Sequence, residues 1–198
     1  MTTKFASYNL KDYVLVYKDF IDINYCNMVV ENLESSDEWT RHSYFNNITN
    51  THHSFEDDLW VQSYNNNPSI KVINDSLWGI VNNYVTTELP KLINNDKLFS
   101  SWSGYSNLRI NKYTVGTNMK EHVDHIHSMF DGTRKGIPIL TILGSLNDNY
   151  KGGELFMWDE EVKLSAGSVM IFPSNFMYPH QVKSVTEGSR YSFVSWVW

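Results

Sequence analysis

The stretch ELFMWDEEVKLSAGSVMIF, residues 154–172, holds two short apolar runs separated by a polar segment and a glycine. Both runs are rich in aromatic or β-branched side chains, a composition typical of β-strands. Comparable runs recur through the second half of the chain, at residues 106–114, 118–124, 137–146, 180–185 and 190–198. Gly or Pro separates most of them, and many short strands at such spacing predict a β-sandwich or barrel.

The first half mixes helix and strand signals. Apolar residues recur at helical spacing over residues 22–33, with Asp22 as the candidate N-cap. A second amphipathic helix is predicted over residues 68–89, since Pro suits a first helical position and Pro90 weakens or ends a helix. The other predictions are strands at residues 13–17 and 39–45 and a surface loop at residues 46–58.

These elements together predict one domain spanning residues 1–198, mainly β with supporting helices. Residues 101–198 would form a two-sheet jelly roll, and residues 1–100 would brace it. The composition changes near residue 100, but neither half is clearly self-sufficient. We therefore interpret this position as a seam inside a single domain.

Composition excludes several classes of function. The 198-residue chain carries a net charge of −6 and no basic stripe, so nucleic-acid binding is not expected. Its 1 Cys excludes an internal disulfide framework and a Cys-based zinc site. No 18-residue apolar stretch exists, so no membrane span is expected. The first residues lack the apolar core of a signal peptide, which predicts a cytoplasmic protein.

The strongest chemical signal is the triplet His122-Val123-Asp124. Residues i and i+2 of a strand point to the same face, so His122 and Asp124 can bind one metal ion together. His180 is the best candidate for a third ligand, because it begins an alternating segment in the same strand-rich half. Two His and one carboxylate leave three octahedral positions open, which suits non-haem Fe(II). Zinc accepts the same donors, and an isolated His-x-Asp is more often a solvated strand end.

A second signal lies ten residues beyond His180. Arg190 and Ser192 share one face of the last aromatic strand. A guanidinium fork beside a hydroxyl is a good receptor for the far carboxylate of a dicarboxylate cosubstrate. The plainer alternatives are a surface ion pair for Arg190 and a space-filling role for Ser192.

The order of these motifs over residues 105–198 resembles the Fe(II)- and 2-oxoglutarate-dependent oxygenases, in particular the prolyl 4-hydroxylase-like group. Residues 1–100 carry no such resemblance. The matching segments are Tyr113, His122-Val123-Asp124, Leu140-Thr141-Ile142-Leu143, Leu146-Asn147, Gly152-Gly153-Glu154-Leu155, Ala166-Gly167-Ser168, Phe172-Pro173-Ser174, Tyr178-Pro179-His180-Gln181-Val182 and Gly188-Ser189-Arg190-Tyr191-Ser192.

The resemblance implies a double-stranded β-helix and a dioxygenase that hydroxylates a substrate while 2-oxoglutarate becomes succinate and CO₂. The implied cofactors are Fe(II), 2-oxoglutarate as cosubstrate and O₂, with ascorbate as a candidate accessory reductant. The partner would be an unknown protein or small molecule, with a peptidyl proline as the leading suggestion. Two other readings stay open: a non-catalytic jelly-roll binding module, and a zinc or manganese enzyme on the same fold. The sequence does not indicate an oligomeric state.

The resemblance also assigns roles to residues. Arg190 would hold the distal carboxylate of 2-oxoglutarate, with Ser192 as a hydroxyl partner. Tyr113 would reach into the cosubstrate pocket, and Thr141 would line it. The implied iron ligands are His122, Asp124 and His180.

One position departs from the family pattern. Ser145 stands where relatives with a Tyr use its hydroxyl to hold the distal carboxylate, and Ser is too short for that reach. The candidate substitutes are Thr141, Ser192 and Tyr113.

Several further residues receive plainer interpretations. Trp196 shares the strand face of Arg190 and resembles an aromatic that lines relatives' active sites. The pair Gly152-Gly153 is predicted to form a turn, because strands flank it. Residues 46–58 and 125–138 are expected to shape specificity. The remaining histidines are predicted to lie at the surface: His52, His53, His125 and His127.

Overall fold

The computed structural model describes residues 8–46, 51–54, 59–63, 68–95, 97, 102, 104–125 and 137–198. In these ranges the α-helices are α1 (Ile23–Glu34), α2 (Lys71–Asn83) and α3 (Leu89–Ile93). The strands are β1 (Leu15–Tyr17), β2 (Thr40–Arg41), β3 (Ser43–Asn46), β4 (Thr51–Ser54), β5 (Trp60–Ser63), β6 (Arg109–Tyr113), β7 (Met119–His122), β8 (Leu140–Ser145), β9 (Lys151–Gly152), β10 (Leu155–Met157), β11 (Glu160–Val162), β12 (Val169–Pro173), β13 (His180–Val182), β14 (Val185–Glu187) and β15 (Arg190–Val197).

Two sheets carry the architecture. A seven-stranded sheet runs in the order β1-β12-β8-β15-β6-β5-β2, and a four-stranded sheet runs β11-β10-β13-β7. The larger sheet includes strands from both halves of the chain. For example, Leu15 of β1 pairs with Ile171 of β12. The mainly β jelly-roll class is therefore confirmed, and all seven predicted C-terminal runs contain strands. The division at residue 100 stays a prediction.

Strand β15 of the seven-stranded sheet is buried along its whole length, and its side chains alternate between the two faces of the sheet. On β15, Tyr191 and Phe193 join the core that contains helices α1 and α2. Between them, Arg190 and Ser192 turn toward a cavity that both sheets line. On β12, Phe172 packs into a second core, together with residues of the smaller sheet such as Val182. Strand β15 therefore presents apolar side chains to the core on one face and polar side chains to the cavity on the other.

Helix α1 begins where the capping signal predicts. The carboxylate of Asp22 accepts hydrogen bonds from the backbone N–H groups of Asn24 at 2.9 Å and Tyr25 at 3.1 Å. These bonds satisfy two of the donors that a helix start leaves unpaired. The helix buries Cys26 and Leu33 against the large sheet.

The second helical region differs from its prediction at the C-terminal end. A 3₁₀ turn at Pro68–Ile70 leads into α2, as the proline suggests. The chain then stays helical through a π-helical segment, Tyr84–Glu88, and into α3, which contains Pro90. The predicted stop at Leu89 is therefore wrong. Pro90 is tolerated because it lies in the first turn of α3, where its missing N–H costs no intrahelical bond.

The loop predicted for residues 46–58 is also wrong in part. Residues 51–54 form strand β4, which pairs antiparallel with β3 in the register Tyr44↔His53. Polar composition predicted a loop, but a surface hairpin can carry polar side chains on both faces. Residues 47–50 and 55–58 lie outside the described ranges, as do 126–136, which include His127.

Within the described residues, no helix combines the length and apolar character needed to cross a membrane.

Candidate metal and cosubstrate site

Two antiparallel strands of the smaller sheet bring the two candidate histidines together. His122 ends β7 and His180 begins β13, and the two residues are direct register partners. Their rings lie 4.4 Å apart between centroids. Asp124 follows the end of β7 and is 3% exposed. The cross-strand pairing of His122 with His180, and the position of Asp124 two residues beyond the end of β7, therefore build one three-residue cluster.

The side-chain atoms of this cluster converge. His122 Nε2 lies 3.6 Å from one carboxylate oxygen of Asp124, and His180 Nε2 lies 3.8 Å from the other. One candidate ligand atom from each of the three residues lies within 4.8 Å of the others. Within the described ranges this is the one such group of three His, Cys, Asp or Glu residues. Two imidazoles and one carboxylate suit Fe(II) or zinc as a donor set.

Backbone carbonyls orient both imidazole rings. Nδ1 of His122 lies 2.8 Å from the Lys120 carbonyl oxygen, and Nδ1 of His180 lies 3.2 Å from that of Tyr178. A carbonyl oxygen can only accept, so each Nδ1 carries the proton and each Nε2 keeps its lone pair. Such outer hydrogen bonds are typical of metal-binding histidines.

The carboxylate of Asp124 is held by Thr141 on β8. The Thr141 hydroxyl donates to Asp124 Oδ2 at 2.8 Å and lies 2.8 Å from the hydroxyl of Ser174. Thr141 has one hydroxyl proton and gives it to Asp124, so Ser174 is the donor in the second bond. Thr141 therefore fixes a carboxylate of the cluster, and its predicted role toward the cosubstrate stays a prediction.

The protonation states of the buried pair suit metal binding. Burial alone would raise the pKa of Asp124, but the charges that His180 and His122 carry when protonated, together with the hydrogen bond from Thr141, lower it. Burial lowers the pKa of His180, against the opposing effect of Asp124. At neutral pH an ionised carboxylate thus faces a neutral imidazole, the forms that coordinate metals.

A variant tests the contribution of Thr141. Thr141→Val keeps the shape but removes the hydrogen bond to Asp124, and we expect metal affinity to fall about tenfold. Ser174→Ala, which removes only the next bond in the chain, is the matched control and should have a smaller effect. The measurement is calorimetric titration with Mn(II). Unchanged affinity in Thr141→Val would show that the hydroxyl does not orient the ligand.

Arg190 occupies the same cavity as the three-residue cluster. It is 4% exposed, and its Nη1 donates to the Ser192 hydroxyl at 2.8 Å. Its guanidinium carbon lies 5.0 Å from the centre of the Tyr113 ring, and Tyr113 is its register partner on β6. A Cβ on Gly153 would lie 3.1 Å from the Cδ of Arg190, so a larger residue there would press on the arginine.

The arginine has an unmet hydrogen-bond donor. In the part of the chain that the structure describes, its buried Nε has no hydrogen-bond partner. A buried cation is costly unless an anionic group pairs with it. A carboxylate on a small molecule in the cavity would fit this need. The second carboxylate of a dicarboxylate could face the three candidate metal ligands, which line the same cavity.

Known proteins with similar sequences match the same C-terminal part of the chain. The profile of the 2OG-Fe(II) oxygenase superfamily, where 2OG is 2-oxoglutarate, matches residues 108–198. Residues 108–198 are therefore similar to the 2OG-Fe(II) oxygenase superfamily. A PKHD-type hydroxylase of Stenotrophomonas maltophilia is 37% identical over 95 residues, which are 45% of this chain and 41% of that protein. One from Shewanella baltica is 36% identical over 92 residues, or 44% and 40% of the two chains.

The match thus spans about two fifths of the length of these curated relatives. Two solved structures of prolyl hydroxylases extend the likeness in fold to almost the whole chain. A prolyl hydroxylase from Trichoplax adhaerens has a TM-score of 0.70 at 17% identity, covering 94% of this chain and 84% of its own. A Pseudomonas putida prolyl-4-hydroxylase has a TM-score of 0.66 at 14% identity, covering 93% and 91%. At these identities the likeness establishes the fold.

The other predicted residues lie at different places relative to the cavity that contains Arg190 and the three-residue cluster. Ser192, Tyr113 and Trp196 line it together with Arg190. Ser145 is buried on β8, and its hydroxyl donates to the Asn147 carbonyl oxygen at 3.2 Å. His125 is exposed beside the cluster, as predicted.

Two cavity residues escaped the sequence reasoning. Asn111 and Arg109 line the same cavity, and Arg109 Nε donates to Asn111 Oδ1 at 3.1 Å. The Arg109 guanidinium also lies 5.0 Å from the centre of the Trp196 ring. Period-two alternation backward from Tyr113 would have put both residues on the cavity face of β6.

Proposed function

We propose that the protein is an Fe(II)- and 2-oxoglutarate-dependent dioxygenase that hydroxylates a substrate. The observation that carries this proposal is the buried, incompletely satisfied Arg190 in the same cavity as the cluster of His122, Asp124 and His180. A set of three metal-binding side chains alone would suit many reactions. The same set together with a buried receptor for a second carboxylate fits a dicarboxylic 2-oxo acid.

The bound cofactors supply the oxidation: O₂ is consumed, 2-oxoglutarate becomes succinate and CO₂, and a substrate C–H becomes C–OH. The protein supplies binding and orientation. In this proposal His122, Asp124 and His180 hold the iron, and Thr141 orients Asp124. Arg190 and Ser192 hold the distal carboxylate, with Tyr113 against the guanidinium. Apolar residues around them keep water from the reacting groups.

For the substrate we propose a peptidyl proline as the first class to test. The support is that the similar Trichoplax adhaerens structure is of a prolyl hydroxylase in complex with a peptide fragment. We also propose that activity needs reducing conditions, with ascorbate as accessory reductant, because the metal must stay ferrous. A cytoplasmic location would supply such conditions.

The experiment is succinate release from 2-oxoglutarate by iron-loaded protein, with and without air, in the presence of proline-containing peptides and small metabolites. The proposal expects succinate that depends on iron, on air and on one substrate class. Turnover with zinc in place of iron, or turnover without 2-oxoglutarate, would contradict it.

The pH dependence of metal binding offers a further prediction. Histidine coordinates only when neutral, and burial lowers the pKa of His180, so apparent Mn(II) affinity should fall as the pH drops below about 6.5, the ordinary imidazole value. The low pKa of Asp124 keeps the carboxylate ionised throughout that range. Calorimetric titrations at constant ionic strength would measure the effect. Affinity that stays constant down to about pH 4 would contradict a two-histidine site.

A further inference from the structure

Asn147 clamps the backbone on both sides of Arg190. Its Nδ2 donates to the Ser189 carbonyl oxygen at 2.8 Å, and its Oδ1 accepts from the Tyr191 N–H at 2.7 Å. The Asn147 side chain also donates to Asn149 Oδ1 at 2.6 Å, and the residue is 6% exposed. One side-chain amide thus satisfies backbone groups of the residues immediately before and after the arginine.

The sheet explains why a side chain is needed at this point. Strand β15 begins at Arg190, and on its β8 side the ladder starts only at the pair Ser192↔Ser145. The first two residues of β15 therefore lack regular ladder partners on that side. The backbone N–H of Leu146 donates to the Tyr191 carbonyl oxygen at 3.0 Å, and the Asn147 amide supplies the remaining contacts.

Arg190 itself is paired through β6 and through its own side chain. Tyr113 is its register partner, and Ser192 accepts a hydrogen bond from its guanidinium. Neither contact fixes the backbone on the β8 side. At the start of a strand, this freedom would let the whole guanidinium shift, and a bidentate grip on a carboxylate tolerates little displacement.

We propose that Asn147 is a positioning residue for the cosubstrate, acting by fixing the backbone of Arg190. This inference rests on the proposed function of Arg190 as the receptor for the distal carboxylate of 2-oxoglutarate. Asn147 does not line the cavity among the described residues. Its effect should therefore pass through the arginine and concern only the carboxylate that the arginine holds.

This mode of action predicts a selective defect. Pyruvate shares the 2-oxo acid end of 2-oxoglutarate but lacks the distal carboxylate. Asn147→Ala should weaken 2-oxoglutarate binding about tenfold while leaving pyruvate and metal affinity within about twofold. If Asn147 had a purely structural role, Asn147→Ala would lower the stability of the protein or weaken the binding of 2-oxoglutarate and pyruvate equally.

The control is a second buried asparagine with a comparable backbone contact. Asn74 is 8% exposed, and its Oδ1 accepts from the Leu108 N–H at 3.0 Å, away from the cavity. Asn74→Ala should lower the melting temperature and leave the preference for 2-oxoglutarate over pyruvate unchanged. If Asn147→Ala fails to fold, Asn147→Ser replaces it. Its hydroxyl keeps a polar group but is too short to bridge Ser189 and Tyr191.

The experiment is anaerobic calorimetry of 2-oxoglutarate and of pyruvate into Mn(II)-loaded protein, for wild type, Asn147→Ala, Arg190→Ala and the double variant. We expect Asn147→Ala to lose selectivity, and to add little further loss in the Arg190→Ala background. Loss of 2-oxoglutarate affinity in Arg190→Ala but not in Asn147→Ala would overturn this inference alone. Unchanged affinity in Arg190→Ala would instead overturn the cosubstrate assignment beneath it. Equal weakening of both acids by Asn147→Ala would reduce Asn147 to a structural residue.

Discussion

Asp124→Ala and His180→Ala should each abolish tight metal binding, and with it all turnover. Two remaining ligands hold a labile divalent cation poorly, and Asp124 is the ligand that both imidazoles face. His122→Ala should act the same way. The measurement is metal content after gel filtration, together with Fe(II) titration under anaerobic conditions. A melting curve for each apo protein separates loss of a ligand from loss of the fold.

The matched control is His125→Ala, which removes an exposed imidazole next to the cluster. It should leave iron affinity within a few-fold of wild type. If His125→Ala abolished iron binding while His122→Ala did not, the assignment of ligands would be wrong.

The second large effect concerns Arg190. Arg190→Ala should weaken 2-oxoglutarate binding by roughly 30-fold or more, the low end of the 2–5 kcal/mol that a desolvated charge pair contributes. Metal affinity should stay close to that of wild type, because Arg190 is not one of the three candidate ligands. Titration of 2-oxoglutarate into anaerobic, metal-loaded protein measures the first quantity, and titration of Fe(II) into the metal-free protein measures the second.

Two milder variants separate charge from geometry at this position. Arg190→Lys keeps the charge but loses the planar guanidinium fork, so it should also weaken the binding of 2-oxoglutarate. Ser192→Ala removes one neutral hydrogen-bond partner and should cost only about 0.5–1.5 kcal/mol. Equal affinity in wild type and Arg190→Ala would mean that the arginine has a structural role.

Much of this site could be predicted because strand geometry is local. The i, i+2 rule put His122 beside Asp124 and Arg190 beside Ser192, and the structure brings each pair together. His180 came from its place at the start of an alternating segment, and its pairing with His122 follows from the antiparallel register. Helix α1 could likewise be predicted, since its N-cap Asp22 and its helically spaced apolar residues lie within one short segment.

What escaped prediction depends on contacts between distant segments. The bond from Thr141 to Asp124 joins residues on β8 and beyond β7, and no local pattern reveals which hydroxyl faces the carboxylate. Asn147 received no role from the sequence beyond its place in the matching segment Leu146-Asn147, because its contacts depend on the ladder of β15. The helix that continues past Pro90 was missed because a π-helical segment shifts the proline into a first turn.

The most direct test of the account is anaerobic calorimetry of 2-oxoglutarate into the protein with and without Fe(II). We predict one-to-one binding that requires the metal, because in our proposal the metal holds the 2-oxo acid at one end and Arg190 holds it at the other. Asp124→Ala should lose this binding through the metal, and Arg190→Ala should weaken it with the metal in place. Binding of equal strength with and without Fe(II), or no binding to the iron-loaded protein, would contradict the account.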